Sequence, residues 1–309
     1  MCTRWTMTNP DDILDLTQQA LPGLRRSERS IADIVLAEPE AVERMTITEL
    51  AARAGVSVAT VARFCSAVGT TGFGDFKRRL TAAVTRASTE LSRFGLSDTA
   101  VSATDTATEV ISKVTMHELH AIQATAAAVD VGELEAIVAA LIAAPRIDIY
   151  GSATSAIAGI DLQQKLLRLA LAASHWSDPH LALTSASLLN PGSVALGISH
   201  SGLTVETVHA IATAKEAGAT TVAITNYPDS PLARTADHVL CTVARETEYR
   251  SGAMSGRMAQ LALVDFIFVR AAQLHREAVP GSDEARRRLL DAHRLRYDGG
   301  GFEQTGDDR

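Results

Sequence analysis

The chain has 309 residues, 46% of them hydrophobic, 21% charged and only 4% aromatic, with a net charge of −7. That length suits two domains, the balance is that of a globular protein rather than a disordered one, and a core with so few rings rests on Ala, Leu, Ile and Val. An acidic chain does not coat nucleic acid over its whole surface, but residues 1–86 hold eleven Lys and Arg against ten Asp and Glu, which permits a local DNA-binding face.

No long apolar stretch opens the chain, so a signal peptide is not expected and the cytoplasm is the expected location. The longest apolar run, Ala136–Ala144, is too short to span a membrane and reads as a buried helix segment. Cys2, Cys65 and Cys241 lie far apart with no CxxC or CxxH spacing, which argues for neither a disulfide framework nor a zinc site. Cys65 and Cys241 fall in apolar patterns and are expected in the core.

Asn9-Pro10-Asp11-Asp12 predicts a helix start: a cap, a proline at the first helical position, then acids at the positive end of the dipole. A second helix follows Ser27, with Ile31, Ile34 and Val35 on one face, and ends before Pro39. Thr46-Ile-Thr-Glu49 is a capping box opening a short helix that stops at Gly55, and Ser57 caps the next, Val58–Val68. Ala51 at the crossing, Gly55 at the corner and Leu50, Val56, Val61 and Phe64 between the helices fit a helix-turn-helix.

The second helix of such a pair presents its N-terminal face to the major groove, so Ser57, Ala59, Thr60 and Arg63 are the candidate DNA contacts, with Lys77 beside them. Arg63 suits a bidentate contact to guanine, and Ser57 and Thr60 suit phosphates or base edges. The alternative is an ordinary solvent-facing helix pair.

Arg86 to about Asp105 is rich in Ser, Thr and Ala and reads as a linker beginning in the preceding helix. Helical patterns resume through Val110, Val114, Leu119 and Ile122, and again from Leu134 to Leu141. Four β-rich runs then alternate with helices, at 146–150, 193–198, 220–225 and 238–242, which predicts a parallel sheet covered on both faces. In that architecture ligands bind beyond the carboxyl ends of the strands.

Two post-strand loops are dense in hydroxyls: Gly151-Ser-Ala-Thr-Ser155 and Ser199-His-Ser-Gly-Leu-Thr204. A helix N-terminus with Ser and Thr donors describes a monophosphate site, although the same hydroxyls also serve as helix caps. There is no GxxxxGK[ST] and no three-glycine dinucleotide fingerprint.

An enzyme acting on a phosphosugar would need an acid–base pair. Glu206, Glu246, Glu248, His175, His180 and His200 are available, and no spacing singles out two of them. Asp178-Pro-His180 offers two metal ligands and no third. No metal or cofactor is expected.

The segments Ser27-Glu-Arg-Ser-Ile-Ala-Asp33, Met45-Thr-Ile-Thr-Glu-Leu-Ala51, Gly55 to Cys65 and Gly72-Phe-Gly-Asp-Phe-Lys77 together resemble the N-terminal domain of RpiR-family transcriptional regulators. Ser66, Ala67 and Thr70 stand where family members often carry basic residues and a Phe. Gly151…Ser155, Lys165-Leu-Leu-Arg168, Ile198 to Thr204, Ser230-Pro-Leu232 and Arg250-Ser…Met254-Ser255 resemble the SIS (sugar isomerase) domain of the same regulators.

The resemblance implies an all-α helix-turn-helix domain followed by an α/β/α SIS-type parallel-sheet domain. It assigns Ser152, Ser155, Ser199, Ser201 and Thr204 to phosphate loops, with Ala153 at a position where glycine is common. Asp229-Ser-Pro-Leu232 and Thr242 to Ser251 look like regulators of N-acetylmuramic acid 6-phosphate catabolism, in which Glu246, Glu248 and Arg250 would reach sugar hydroxyls or an acidic substituent; a solvated charged loop is the alternative.

The expected division is 1–86 helix-turn-helix, 87–129 linker and connecting helix, 130–280 SIS, and 281–309 C-terminal helix and disordered tail. The expected partners are double-stranded operator DNA, a phosphosugar effector and further copies of the chain, as homodimer or homotetramer, without a membrane. A phosphosugar isomerase or lyase with a fused helical domain is the rival reading, and an interaction module with a decayed pocket is the third.

Overall fold

The computed structural model describes residues 12–96, 100–244, 256–275, 295–297 and 302–304. Six helices come first: α1 (Ile13–Ala20), α2 (Arg26–Ala37), α3 (Pro39–Arg44), α4 (Ile47–Arg53), α5 (Val58–Ala67) and α6 (Phe73–Phe94). Their apolar faces meet in one core of Ile13, Ile31, Val35, Leu50, Val61, Phe64, Phe76 and Leu80, with Phe64 set edge-on to Phe76 at 5.5 Å. The Thr46 capping box forms as its sequence predicts, Thr46 N donating to Glu49 Oε2 at 2.7 Å and Glu49 N to Thr46 Oγ1 at 3.3 Å. Gly55 turns the corner at φ +65, where a side chain would be strained.

Several boundaries differ from expectation. The first helix begins at Ile13, because Asp12 itself is the cap and accepts from Leu14 N; Asn9, Pro10 and Asp11 lie outside the described residues. The second begins at Arg26, one residue before Ser27, where Glu28 Oε2 accepts from Arg25 N. Pro39 opens α3 rather than merely ending α2, since proline is tolerated in a first helical turn. The segment after Arg86 does begin in the preceding helix, as expected: α6 continues to Phe94 and stops at Gly95, φ +67.

Helix α7 (Ala107–Ala128) follows, capped by Thr106 and Glu109. Its buried face is Lys113, Met116, Ala121, Ala124 and Thr125, whereas the expected stripe of Val110, Val114, Leu119 and Ile122 stays half-buried or exposed. α7 packs on α6 and α13, and its His120 Nε2 sits 3.2 Å from Asp15 of α1.

The second half contains α8 (Val131–Ala143), β1 (Ile147–Tyr150), α9 (Thr154–Leu167), β2 (Ala173–Trp176), α10 (Pro179–Ser187), β3 (Val194–Ile198), α11 (Val205–Glu216), β4 (Thr220–Thr225), α12 (Pro231–Thr235), β5 (His238–Cys241) and α13 (Arg257–His275). The strands form one parallel sheet in the order β2-β1-β3-β4-β5. β2 is a strand the sequence pattern does not announce.

Alternate residues face opposite layers. Ile147, Ile149, Leu196, Val222 and Ile224 pack with Leu141, Leu162, Leu263 and Ile267, whereas Tyr150, Ala195 and Ala223 pack with Ala186, Ala210, Ile211 and Leu232. The result is an α/β/α sandwich whose second layer approaches closely through alanine. Asp148, fully buried in β1, is matched by Arg146 at 2.9 Å, the Tyr150 hydroxyl at 3.1 Å and the Ser185 hydroxyl at 2.6 Å. These bonds satisfy the carboxylate and tie α10 to the sheet.

Two short strands, β6 (Leu295–Tyr297) and β7 (Phe302–Gln304), pair antiparallel within the segment expected as a disordered tail, while the expected C-terminal helix lies outside the described residues. Among the described residues no helix is long and apolar enough to cross a membrane, and no group of three metal-ligating side chains converges. Cys65 is fully buried as expected, and Cys241 only partly; burial pushes both thiols up to about 11. Cys2 lies outside the described residues.

Candidate functional site

On the N-terminal half, α4 and α5 form the expected pair. Ser57 Oγ accepts from Thr60 N at 3.2 Å, which caps α5 and fixes its first turn. Ser57, Ala59 and Arg63 are exposed. Thr60 differs from the expectation of an exposed residue: it is only 5% exposed, its hydroxyl lying 3.0 Å from Ser57 Oγ and accepting from Arg63 Nη2 at 3.0 Å. Arg63 Nε lies 3.6 Å from Glu28 of α2, so the guanidinium is held from two sides. Lys77 is half-buried and donates to the Met45 carbonyl at 3.0 Å, closing the end of α3.

On the C-terminal half, the chain runs from β1 out to β2 on one side and returns to β3 on the other. The β1–β3 boundary is therefore the switch point at which an open α/β sheet leaves a crevice. Both hydroxyl loops stand there, because Tyr150 pairs in register with Gly197 and each loop follows directly.

After β1, Ser152 is half-buried, Ser155 is 6% exposed in the first turn of α9, and Ala153 takes φ 50, a conformation normally left to glycine. After β3, Ser199 Oγ accepts from Gly202 N at 3.1 Å and sits 2.9 Å from Thr204 Oγ1, while Ser201 Oγ accepts from Leu203 N at 3.2 Å. The loop is anchored on β4 by Thr225 Oγ1 and Asn226 N, both donating to the His200 carbonyl.

The start of α13 closes the arrangement. A Cβ on Gly256 would lie 2.3 Å from His200 Nδ1, so a residue without a side chain lets the start of α13 pack against the imidazole ring. Gln260, one turn further, donates to Ser155 Oγ at 3.2 Å. Thus the N-terminal turns of α9, α11 and α13, with their partial positive charge, gather round the two loops. Neither loop contains a Lys or Arg. Next to them Gly151, Ser152, Trp176, Ser177, Glu206 and Thr207 line a shallow open crevice.

The candidate acid–base groups do not form a pair among the described residues. His175 Nε2 donates to the Gly151 carbonyl at 3.2 Å, and burial pushes the imidazole below its ordinary value. His200 is buried edge-on to Tyr227, His180 is exposed, and Asp178 caps α10. Glu206 is exposed at the start of α11. Glu246, Glu248 and Arg250 lie outside the described residues. Gln260 carries no sequence signal of its own, since it sits within an apolar helix.

Residues 12–87 match the helix-turn-helix domain of the rpiR family and residues 140–270 match the SIS domain. An uncharacterized HTH-type transcriptional regulator of Caldanaerobacter subterraneus is 37% identical over 85% of this chain and 91% of its own length. A second, from Haemophilus influenzae, is 30% identical over 86% and 92%. Among solved structures, the Vibrio vulnificus NanR protein complexed with ManNAc-6P is 26% identical, covering 90% of this chain and 98% of that one, with a TM-score of 0.57. The sugar isomerase domain of an RpiR transcription factor from Sphaerobacter thermophilus is 25% identical over 59% of this chain and 99% of that one, with a TM-score of 0.54. The chain belongs to the RpiR family of helix-turn-helix transcriptional regulators that carry a SIS domain.

Proposed function

We propose that this regulator senses a phosphosugar in its SIS domain and transmits occupancy to operator-bound helices, without catalysing a reaction. The observation that carries the reading is the pairing of two hydroxyl-rich loops at the β1–β3 switch point. Ser152, Ser155, Ser199, Ser201 and Thr204 there offer neutral donors to a dianion beside three helix N-termini. An amino-sugar phosphate is the preferred effector, N-acetylmuramic acid 6-phosphate or a close analogue. The ManNAc-6P carried by the NanR neighbour supports that class. Glu246 and Glu248 are assigned to the sugar hydroxyls.

Ser57, Ala59 and Arg63 form the DNA-facing surface, Thr60 acts through Arg63, and Lys77 flanks it. The working division is 1–86 for DNA, 87–129 as connection, 130–280 for the effector and 281–309 as the C-terminal segment. The active form is a homodimer or homotetramer in the cytoplasm, placing two recognition helices on half-sites about one helical turn apart. α7 is the natural coupling element, because it packs on α13 beside the sugar site and reaches Asp15 of α1 through His120. A coupling of about 1–3 kcal/mol is enough for useful regulation.

The test is a thermal-shift panel of sugar phosphates joined to gel shifts on DNA flanking the gene. A phosphosugar that shifts both the melt and the DNA complex supports the reading. Turnover of a phosphosugar without DNA binding would replace it with the isomerase or lyase alternative.

A further inference from the structure

α13 carries a buried polar group that the proposed site does not yet use. Gln260 is 1% exposed, and its amide Nε2 donates to Ser155 Oγ at 3.2 Å, while its Oε1 is buried without a hydrogen-bond partner. Ser155 Oγ has no second hydrogen bond among the described residues. A hydroxyl that accepts an N–H on one of its two lone pairs still has its own hydrogen to donate, and the N–H fixes the direction in which it can do so.

We propose that Gln260 is a positioning residue of the phosphate loop, setting Ser155 as a donor towards an anionic oxygen of a phosphate monoester. The inference rests on the phosphosugar reading of the site. Two further features support it. The start of α13 lies against the second loop, Gly256 packing on the His200 ring, which places the amide beside the site. The Oε1 is an acceptor that burial makes costly to leave empty, which marks the Gln260–Ser155 pair as more than packing.

The test is a double-mutant cycle on the full-length protein, with Ser155→Ala, Gln260→Met and the double variant. Titration calorimetry would use N-acetylmannosamine 6-phosphate, glucosamine 6-phosphate and inorganic phosphate as probes. Ser155→Ala is expected to weaken the sugar phosphates about tenfold or more, the loss of one hydrogen bond to a charged group. Gln260→Met should approach that loss in the wild-type background and cause little in the Ser155→Ala background.

Gln260→Glu keeps the size and puts a carboxylate beside the phosphate, so its binding should be weakest near neutral pH and recover relative to wild type as pH falls. The same change in the Ser155→Ala background should recover less as pH falls; an equal recovery there would mark charge repulsion alone and overturn the positioning role. Additive losses, or unchanged affinity in a folded Gln260→Met protein, overturn the positioning role while leaving the phosphosugar reading intact. Should Gln260→Met fail to fold, Gln260→Glu decides by its pH profile. Failure of the wild-type protein to bind any of the three probes sinks both.

Discussion

Thr60 and Arg63, one turn apart on α5, are joined by a hydrogen bond from the guanidinium to the buried threonine hydroxyl at 3.0 Å. The bond orients an arginine whose side chain is 54% exposed, so orientation rather than burial is what Thr60 contributes. Arg63→Ala should weaken specific DNA binding by about 1–3 kcal/mol, roughly 5- to 150-fold, and leave the fold unchanged. Thr60→Val should cause a smaller loss through a less ordered Arg63. Anisotropy on a duplex selected from a random pool measures both, and equal affinity of Arg63→Ala and wild type would remove Arg63 from the interface.

Lys77 separates a supporting role from a DNA-contacting one. Its ammonium donates to the Met45 carbonyl, closing the turn between α3 and α4. Lys77→Met should therefore lower the thermal stability of the N-terminal half. A residue that neutralises a phosphate would instead reduce the slope of log affinity against log salt by about one unit. A stable variant with the reduced slope would return Lys77 to the DNA surface.

Ala153 holds φ 50 in the turn from β1 into α9, at the edge of the proposed phosphate site. Strain of this type costs about 1–3 kcal/mol, and a glycine relieves it at a small cost in unfolded-chain entropy. Ala153→Gly should thus stabilise by about 1 kcal/mol, raising the melting temperature by roughly 2–4 °C. It should also tighten sugar-phosphate binding by letting the backbone approach the ligand. Ala170, at φ 58 after α9, is the control: its glycine variant should stabilise without changing affinity.

What could be read from sequence follows how local the determining physics is. Thr46, Glu49, Gly55 and Ser57 act within four residues of their partners, and α4 and α5 form where those residues predict. β4 matches its predicted span because Thr220 to Thr225 is β-branched at every position but Ala223 and alternates into two buried layers. β2 is missed because Ala-Ser-His-Trp has one strong strand former and lies at the sheet edge, where three of its four residues are only half-buried. Where α6 ends is not legible because its later turns are Thr and Ser, which look like linker; in the structure Thr85 and Thr89 fold their hydroxyls back onto carbonyls four residues earlier. The hydroxyl loops of the candidate site are legible as composition. The bond from Gln260 to Ser155 spans 105 residues and depends on how α13 docks, which no local pattern encodes.

His175 gives the folded protein a defined pH response. Its imidazole is half-buried against Gly159, where a Cβ would lie 2.5 Å from Cδ2, and burial lowers its affinity for a proton; the hydrogen bond to the Gly151 carbonyl offsets this only in part. Because the folded value lies below the ordinary 6.5, the unfolded chain binds the proton first as pH falls. This contribution to stability is therefore complete above the ordinary value and is lost between it and the lowered folded value, below which no more is lost. Gln at this position can still donate to the Gly151 carbonyl but does not titrate. Between about pH 7.5 and about pH 5.5, a window that brackets the ordinary imidazole value, wild type should lose more thermal stability than His175→Gln. Parallel melting curves for the two proteins across that window would show that His175 titrates alike in the folded and unfolded chain, and that its ring does not hold the β1 loop in the neutral form.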